Sequence, residues 1–211
     1  MPSRRPAWVL KQTKGKKRIL DIGFLGEIAH DSSLHKKIRE QNPNAYVAGL
    51  DTNKEALANC PFENCFHGSF LEMPFENDSF DTVILCEVIE HVPDSLQGFA
   101  EISRILKPGG ELILTTPSAY GFFRWLKHWI LTSKPTSRPN YRNFLGDHDH
   151  KLFWEPLSLC NLLAMNNLEV TKLTTRNLSL PYLPHSWRNP ALHFWPFTRM
   201  GTYLCIVARK V

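Results

Sequence analysis

Glu87-Val-Ile-Glu90-His91 places two carboxylates and an imidazole directly after a strand-like apolar run, Phe80 to Cys86. Gathered at the end of a strand, such groups can hold a divalent cation such as Mg²⁺ or Mn²⁺ and lower the pKa of a bound hydroxyl. Far downstream, His148-Asp149-His150 can add a further imidazole where the chain returns to a regular pattern. A single imidazole, His91 or His150, can instead act as general base, because an unperturbed histidine titrates near neutrality. A plainer reading makes Glu90 and His91 loop-fixing hydrogen-bond partners, with His148 to His150 a polar helix entrance before Trp154.

A second constellation lies nearer the N-terminus. In Ile19-Leu20-Asp21-Ile22-Gly23-Phe24-Leu25-Gly26-Glu27 the glycines fall where a strand turns into a helix, so backbone can approach a ligand at the carboxyl edge of a sheet. Asp51 ends the next apolar run, where a carboxylate can accept both hydroxyls of a ribose. Together these features select nucleoside-containing cofactors. A nicotinamide dinucleotide needs a pyrophosphate at the helix N-terminus and usually GxGxxG, whereas Gly23 and Gly26 give only GxxG and Glu27 would repel the pyrophosphate. The cationic amino and sulfonium groups of S-adenosylmethionine tolerate that glutamate.

These residues must be positioned by alternating elements. The sequence predicts strands over Arg18 to Gly23, Ala45 to Leu50, Cys65 to Phe70, Phe80 to Cys86 and Glu111 to Thr116. Helical stretches run from Glu27 to about Gln41, Asn53 to Asn59 and Ser95 to Leu106, the last stopped by Lys107-Pro108-Gly109-Gly110. After an aromatic-rich insertion of about residues 118–150, the rhythm resumes with a helix from Glu155 to Met165 and a strand from Leu168 to Thr174. A proline- and aromatic-rich segment of about 178–200 precedes a last strand, Thr202 to Ala208. The alternation predicts an α/β domain on a mostly parallel sheet, spanning residues 18–211 as one unit.

Residues 1–17 read as a basic N-terminal approach. Arg4, Arg5, Lys11, Lys14, Lys16, Lys17 and Arg18 surround Trp8 there, a pattern that is either a solvated lead-in or a contact for phosphates or lipid headgroups. The formal net charge of +5 identifies no partner by itself. Cys60, Cys65, Cys86, Cys160 and Cys205 contain no CxxC pair and read as reduced thiols, as in the cytoplasm. No apolar run approaches the roughly 18 to 20 residues of a spanning helix, so a soluble protein is expected, with peripheral membrane contact left open.

Four blocks occur in a definite order: ILDIGFLGE, GLDTN, GSFLEMPFENDSFDTVILCEVIEHV and ISRILKPGGELILTTP. In these the chain resembles the class I S-adenosylmethionine-dependent methyltransferases. The resemblance implies a Rossmann-like, doubly wound, seven-stranded sheet in the order 3-2-1-4-5-7-6. It also implies that Asp21, Gly23 and Gly26 frame the methionine end of the cofactor, with Cys86 and Glu87 beside it. Asp51 then binds ribose, Thr52 and Phe70 flank adenine, and Ser69 stands where an adenine-binding acid is usual. Two departures stand out: the family's DxGxGxG loses two glycines here, and the acid after Gly68 is Ser69.

The EVIEH block further resembles that of metal-dependent small-RNA 2′-O-methyltransferases and of ubiquinone-pathway O-methyltransferases. Carried over, Glu87, Glu90, His91 and His150 are candidate metal ligands, with His148 as a substitute for His150. The same block also occurs in methyltransferases that use no metal. Phe122 to Ile130 and Leu180 to Phe197 add aromatic surface that suits a small or amphipathic acceptor, and O-methylation is the expected reaction. Stacking on the same aromatics, with Arg124, Lys127, Lys134, Arg138 and Arg142 on phosphates, would suit an RNA end instead. A non-catalytic cofactor-binding module on the same fold is the reading from outside enzymology. Oligomeric state is not encoded in any of these features.

Overall fold

The computed structural model describes residues 4–27, 33–119, 152, 154–176 and 203–211. Its strands are β1 (Arg18–Ile22), β2 (Tyr46–Asp51), β3 (Cys65–His67), β4 (Phe80–Cys86), β5 (Leu106–Pro117), β6 (Leu168–Arg176) and β7 (Tyr203–Lys210). They form one seven-stranded sheet in the order β3-β2-β1-β4-β5-β7-β6. β7 pairs antiparallel with both β5 and β6, and the other neighbours pair in parallel. The helices are α1 (Arg4–Thr13), α2 (Leu34–Gln41), α3 (Lys54–Ala58), α4 (Ser95–Ile105) and α5 (Pro156–Ala164), with a 3-10 turn at Phe24–Glu27.

Alternate strand residues sort into two cores, as the two-residue period of a pleated strand requires. Leu20, Val83, Leu85, Leu112, Leu114 and Ile206 face one side, where Phe99 and Ile102 of α4 and Leu159 and Leu163 of α5 cover them. Ile19, Val47, Ile84, Ile113 and Val207 face the other, beneath Trp8 and Val9 of α1 and Leu34 and Ile38 of α2. Both faces being covered explains why β1, β4 and β7 carry consecutive apolar residues, as in Ile19-Leu20, Val83-Ile84-Leu85 and Leu204-Cys205-Ile206-Val207, rather than a strict alternation. Full burial of each such side chain contributes about 1.5–3 kcal/mol.

This arrangement corrects the expectation of a solvated lead-in. Residues Arg4–Thr13 are helical, and Trp8 is 4% and Val9 0% exposed, so α1 is part of one of the two layers. Arg5 is ion-paired and Trp8 is turned inward, which removes both from any exposed headgroup contact. The glycine stop after α4 also differs from the expected loop. β5 begins at Leu106, opposite Phe80, and the register then shifts so that Thr82 pairs with Glu111. Gly109, at φ +75°, takes up the irregularity.

Short caps hold the helices that flank the carboxyl edge. Ser33 accepts from Lys36 N at the start of α2, Asn53 from Ala56 N at α3, and Asp94 from Gln97 N at α4. The expected helix from Glu27 is in fact the 3-10 turn and α2, with 28–32 outside the described residues. The ends of the insertion lie side by side, since Ser118 bridges to Trp154 and Ala119 N donates to Trp154 O. Most of the insertion, including His148, His150 and the aromatic and basic side chains of 122–142, lies outside the described residues, as does the 178–200 segment. Among the described residues no helix is long and apolar enough to cross a membrane.

Candidate functional site

The turns after β1, β2 and β4 open on one edge of the sheet and enclose two adjoining chambers. The larger, about 360 Å³, is lined by Gly23, Gly26, Asp51, Thr52, Ser69, Phe70, Glu87 and His91, with Val88 and Val92 as apolar wall. The smaller, about 220 Å³, is lined by Arg5, Asp21, Phe24, His35, Cys86 and Glu87. Ile22, Gly23, Gly26 and Glu87 border both, so the two form one trough. All nine side chains and glycines singled out in the sequence for a cofactor line one chamber or the other. Arg5 and His35 were not among them.

The glycine turn is built from two different glycines. Gly23 has φ +73°, donates to Leu50 O at 2.8 Å, and would bring an added Cβ within 2.5 Å of Val88 Cγ2. Only glycine fits there without strain. Gly26 has no atom of the described residues within 4 Å of an added Cβ. Phe24, which precedes the Leu25 that stands at one lost family glycine, is 5% exposed, and Gly49 makes room for it: a Cβ at Gly49 would lie 2.4 Å from the ring.

Asp51 ties two of the turns together. Its Oδ2 accepts from Leu25 N at 3.1 Å and its Oδ1 from Asn53 N at 3.0 Å, leaving further lone pairs on each oxygen. The helix cap at this point is Asn53, so Asp51 is spared for other work. Ser69 Oγ accepts from Leu71 N at 3.1 Å and shapes the turn that carries Phe70. Phe70 is buried against Gly98, whose missing side chain admits the ring.

At the end of β4 the electrostatics change. Glu87 has φ 57°, unusual for a side chain of its size, and is held there by its N–H to Thr115 O at 2.9 Å. Its Oε1 accepts from Thr115 Oγ1 at 3.1 Å, and its Oε2 lies 3.2 Å from Arg5 Nη1. Burial pushes the Glu87 carboxyl up to about 7, with Arg5 pulling it down and Glu90 pushing it further up. Glu90 is fully buried, accepts from Thr116 Oγ1 at 3.1 Å, and is likewise raised by burial. Burial also raises the Cys86 thiol, which makes it a poor nucleophile.

The metal expectation finds no matching donor set among the described residues. Glu87 is engaged by a guanidinium, Glu90 is directed to Thr116, and no three His, Cys, Asp or Glu side chains there converge on a common point. His150, the fourth candidate, lies outside the described residues. The loop-fixing role weighed for Glu90 matches its observed bond to Thr116, which joins the turn after β4 to the end of β5. Arg5 and His35 were missed for a common reason: each belongs to a helix face whose neighbours, Trp8 for one and Leu34 and Ile38 for the other, are the core signal. A helical reading of residues 4–13 would have placed Arg5 one turn from Trp8.

A family profile described as a methyltransferase domain matches residues 20–114. A demethylmenaquinone methyltransferase of Listeria welshimeri is 35% identical over 164 residues, covering 74% of this chain and 69% of that protein. A ubiquinone biosynthesis O-methyltransferase of Aeromonas salmonicida is 29% identical over 170 residues, covering 74% of this chain, and the alignment spans 65% of that relative's length. Among solved structures, an S-adenosylmethionine-dependent methyltransferase from Archaeoglobus fulgidus superposes with a TM-score of 0.67 at 17% identity, covering 98% of this chain and 92% of that one. At that identity the likeness is one of fold.

Proposed function

The chain belongs to the class I S-adenosylmethionine-dependent methyltransferases, and on that premise we propose that it transfers a methyl group to a hydroxyl of a small or amphipathic acceptor. The observation that carries the proposal is the two-chamber trough, which has a carboxylate and an aromatic wall at one end and mixed charges at the other. Asp51 is assigned to the ribose hydroxyls, Thr52, Ser69 and Phe70 to the adenine, and Asp21, Gly23, Gly26, Cys86 and Glu87 to the methionine end. The open space beside Gly26 suits the fit, because a side chain there would project into the trough.

When bound, the sulfonium supplies an already activated methyl group, so the residues need only align an acceptor and take its proton. With the cofactor held there, its methyl group would pass to an acceptor oxygen and its sulfur would leave as a neutral thioether, while His91 takes the proton of the acceptor hydroxyl. His91 borders the larger chamber, next to Val88 and Val92, whose side chains suit an apolar ring or chain. His150 is the second candidate base, and single and double alanine variants separate the two. Because Glu87 and Glu90 are committed to Arg5, Thr115 and Thr116, the step is routed through no metal. The names of the two relatives both concern quinones, which favours a phenolic or quinol-type acceptor.

The test is calorimetric titration with S-adenosylmethionine and S-adenosylhomocysteine, followed by methyl transfer to a panel of phenols and quinols with Mg²⁺ or with a chelator. Micromolar binding and an O-methylated product are expected, unaffected by the chelator. Binding without transfer to any acceptor would favour the non-catalytic module. Transfer only to RNA ends would replace the small-acceptor reading, and loss of transfer with the chelator would restore the metal.

A further inference from the structure

Asp21 is a buried carboxylate, its side chain 5% exposed, and its partner comes from outside the recognised blocks. His35, on the first turn of α2, meets Asp21 Oδ2 with Nδ1 at 2.9 Å, and the His35 side chain has no exposure. Its ring is clamped between Phe24, at 4.6 Å between centroids, and Phe62, at 5.1 Å. An ionised carboxylate only accepts, so Nδ1 carries a proton and donates it to Asp21. Nε2 is buried without a hydrogen-bond partner among the described residues.

A buried polar atom without a partner is destabilising, and an aromatic ring without nitrogens would fill the same slot between Phe24 and Phe62. Packing therefore does not account for an imidazole here, whereas the bond to Asp21 does. The same ring leans on Phe24, which sits over Gly49. His35, Phe24 and Gly49 thus make one unit behind the glycine turn.

Resting on the cofactor reading above, we propose that His35 is a positioning residue for S-adenosylmethionine: it locks the Asp21 carboxylate in one orientation toward the ammonium group of the methionine end. His35 itself does not touch the cofactor. Its effect is confined to ligands that carry that ammonium group.

Two ligands separate this role from a merely structural one. S-adenosylhomocysteine carries the amino-acid end, and 5′-methylthioadenosine keeps the adenosine and sulfur without it. His35→Phe keeps the ring packing and removes the donor, while His35→Asn keeps a donor near the Nδ1 position. Loss of one charge-assisted hydrogen bond's orientation should weaken S-adenosylhomocysteine about tenfold in the Phe variant and leave methylthioadenosine within about twofold. The Asn variant should bind both within about threefold of wild type, by the same reasoning. Equal loss for both ligands, or no loss for either, would overturn the proposal while leaving the cofactor reading intact. Wild-type protein that binds neither ligand removes the cofactor reading and this role with it. If His35→Phe fails to fold, the ¹⁵N resonances of the His35 ring in wild type decide: they should move with S-adenosylhomocysteine and stay with methylthioadenosine. Equal movement with both would overturn the role.

Discussion

The two halves of the trough hold their carboxylates by opposite means. Around β1 and β2, Asp51 accepts from the backbone N–H groups of Leu25 and Asn53, and Asp21 from the His35 ring. Around β4, Glu87 and Glu90 are raised by burial, Glu87 is answered first by the Arg5 guanidinium and then by the Thr115 hydroxyl, and Glu90 accepts from the Thr116 hydroxyl. Donors on both oxygens fix the Asp51 carboxylate in geometry, whereas burial pushes Glu87 up to about 7 and leaves its protonation open to change near neutrality. One half is built as a rigid seat and the other as a wall whose charge depends on pH and on what occupies the trough.

The largest test of that contrast is Gly23→Ala. The positive φ and the approach to Val88 should together lower stability by about 3 kcal/mol or more, read by denaturant unfolding. A stable, cofactor-binding Ala variant would show that the turn is not the rigid seat described. Next comes Asp51→Ala, expected to weaken S-adenosylmethionine about 100-fold in calorimetry through the lost ribose contacts. A change of only twofold would leave Asp51 as a loop tie alone.

Glu87→Gln probes the other half. With its folded-state pKa raised from the ordinary 4.5 to about 7, Glu87 keeps its proton in the folded state over a range where the unfolded chain releases it. Its contribution to stability is therefore full below about pH 4.5 and is lost as pH rises through about 7. The Gln variant should shrink the stability difference between roughly pH 5 and pH 8 by about 2 kcal/mol, and an unchanged difference would show that Glu87 titrates as an exposed carboxylate does. The smallest expected effect is that of Gly26→Ala. With open space around the added methyl, unfolding should match wild type within about 0.5 kcal/mol, while cofactor affinity falls several-fold. Reduced stability there would mean that Gly26, like Gly23, serves the fold rather than the trough.

Much of the fold was legible because the sheet is covered on both faces. That condition writes β4 into the chain with apolar side chains on both faces from Val83 to Cys86, and its observed limits, Phe80–Cys86, are those the sequence predicts. The turns carrying Gly23, Asp51 and Glu87 were legible for a related reason, since each follows immediately on such a run and must lie at the carboxyl edge. The basic character of residues 4–18 concealed α1, because charge dominates a local reading while Trp8 and Val9 acquire meaning only against Ile19, Ile84 and Ile113. The bulge that begins β5 at Leu106 was hidden in the same way, since Lys-Pro-Gly-Gly reads locally as a stop.

The sequence by itself determined the order of the strands, the sheet's carboxyl edge as the place where the candidate residues gather, and the residue types that meet there. Those follow from local periodicity and from turns that each involve a few consecutive residues. Only the tertiary structure decided which partners those residues have: Arg5 for Glu87, His35 for Asp21, Gly49 for Phe24, and the two threonines of β5 for the glutamates after β4. The physical reason is that a buried carboxylate's charge and orientation are set by whatever the fold packs within a few ångströms of it. Those neighbours come from strands and helices distant in the chain, where no local pattern records them.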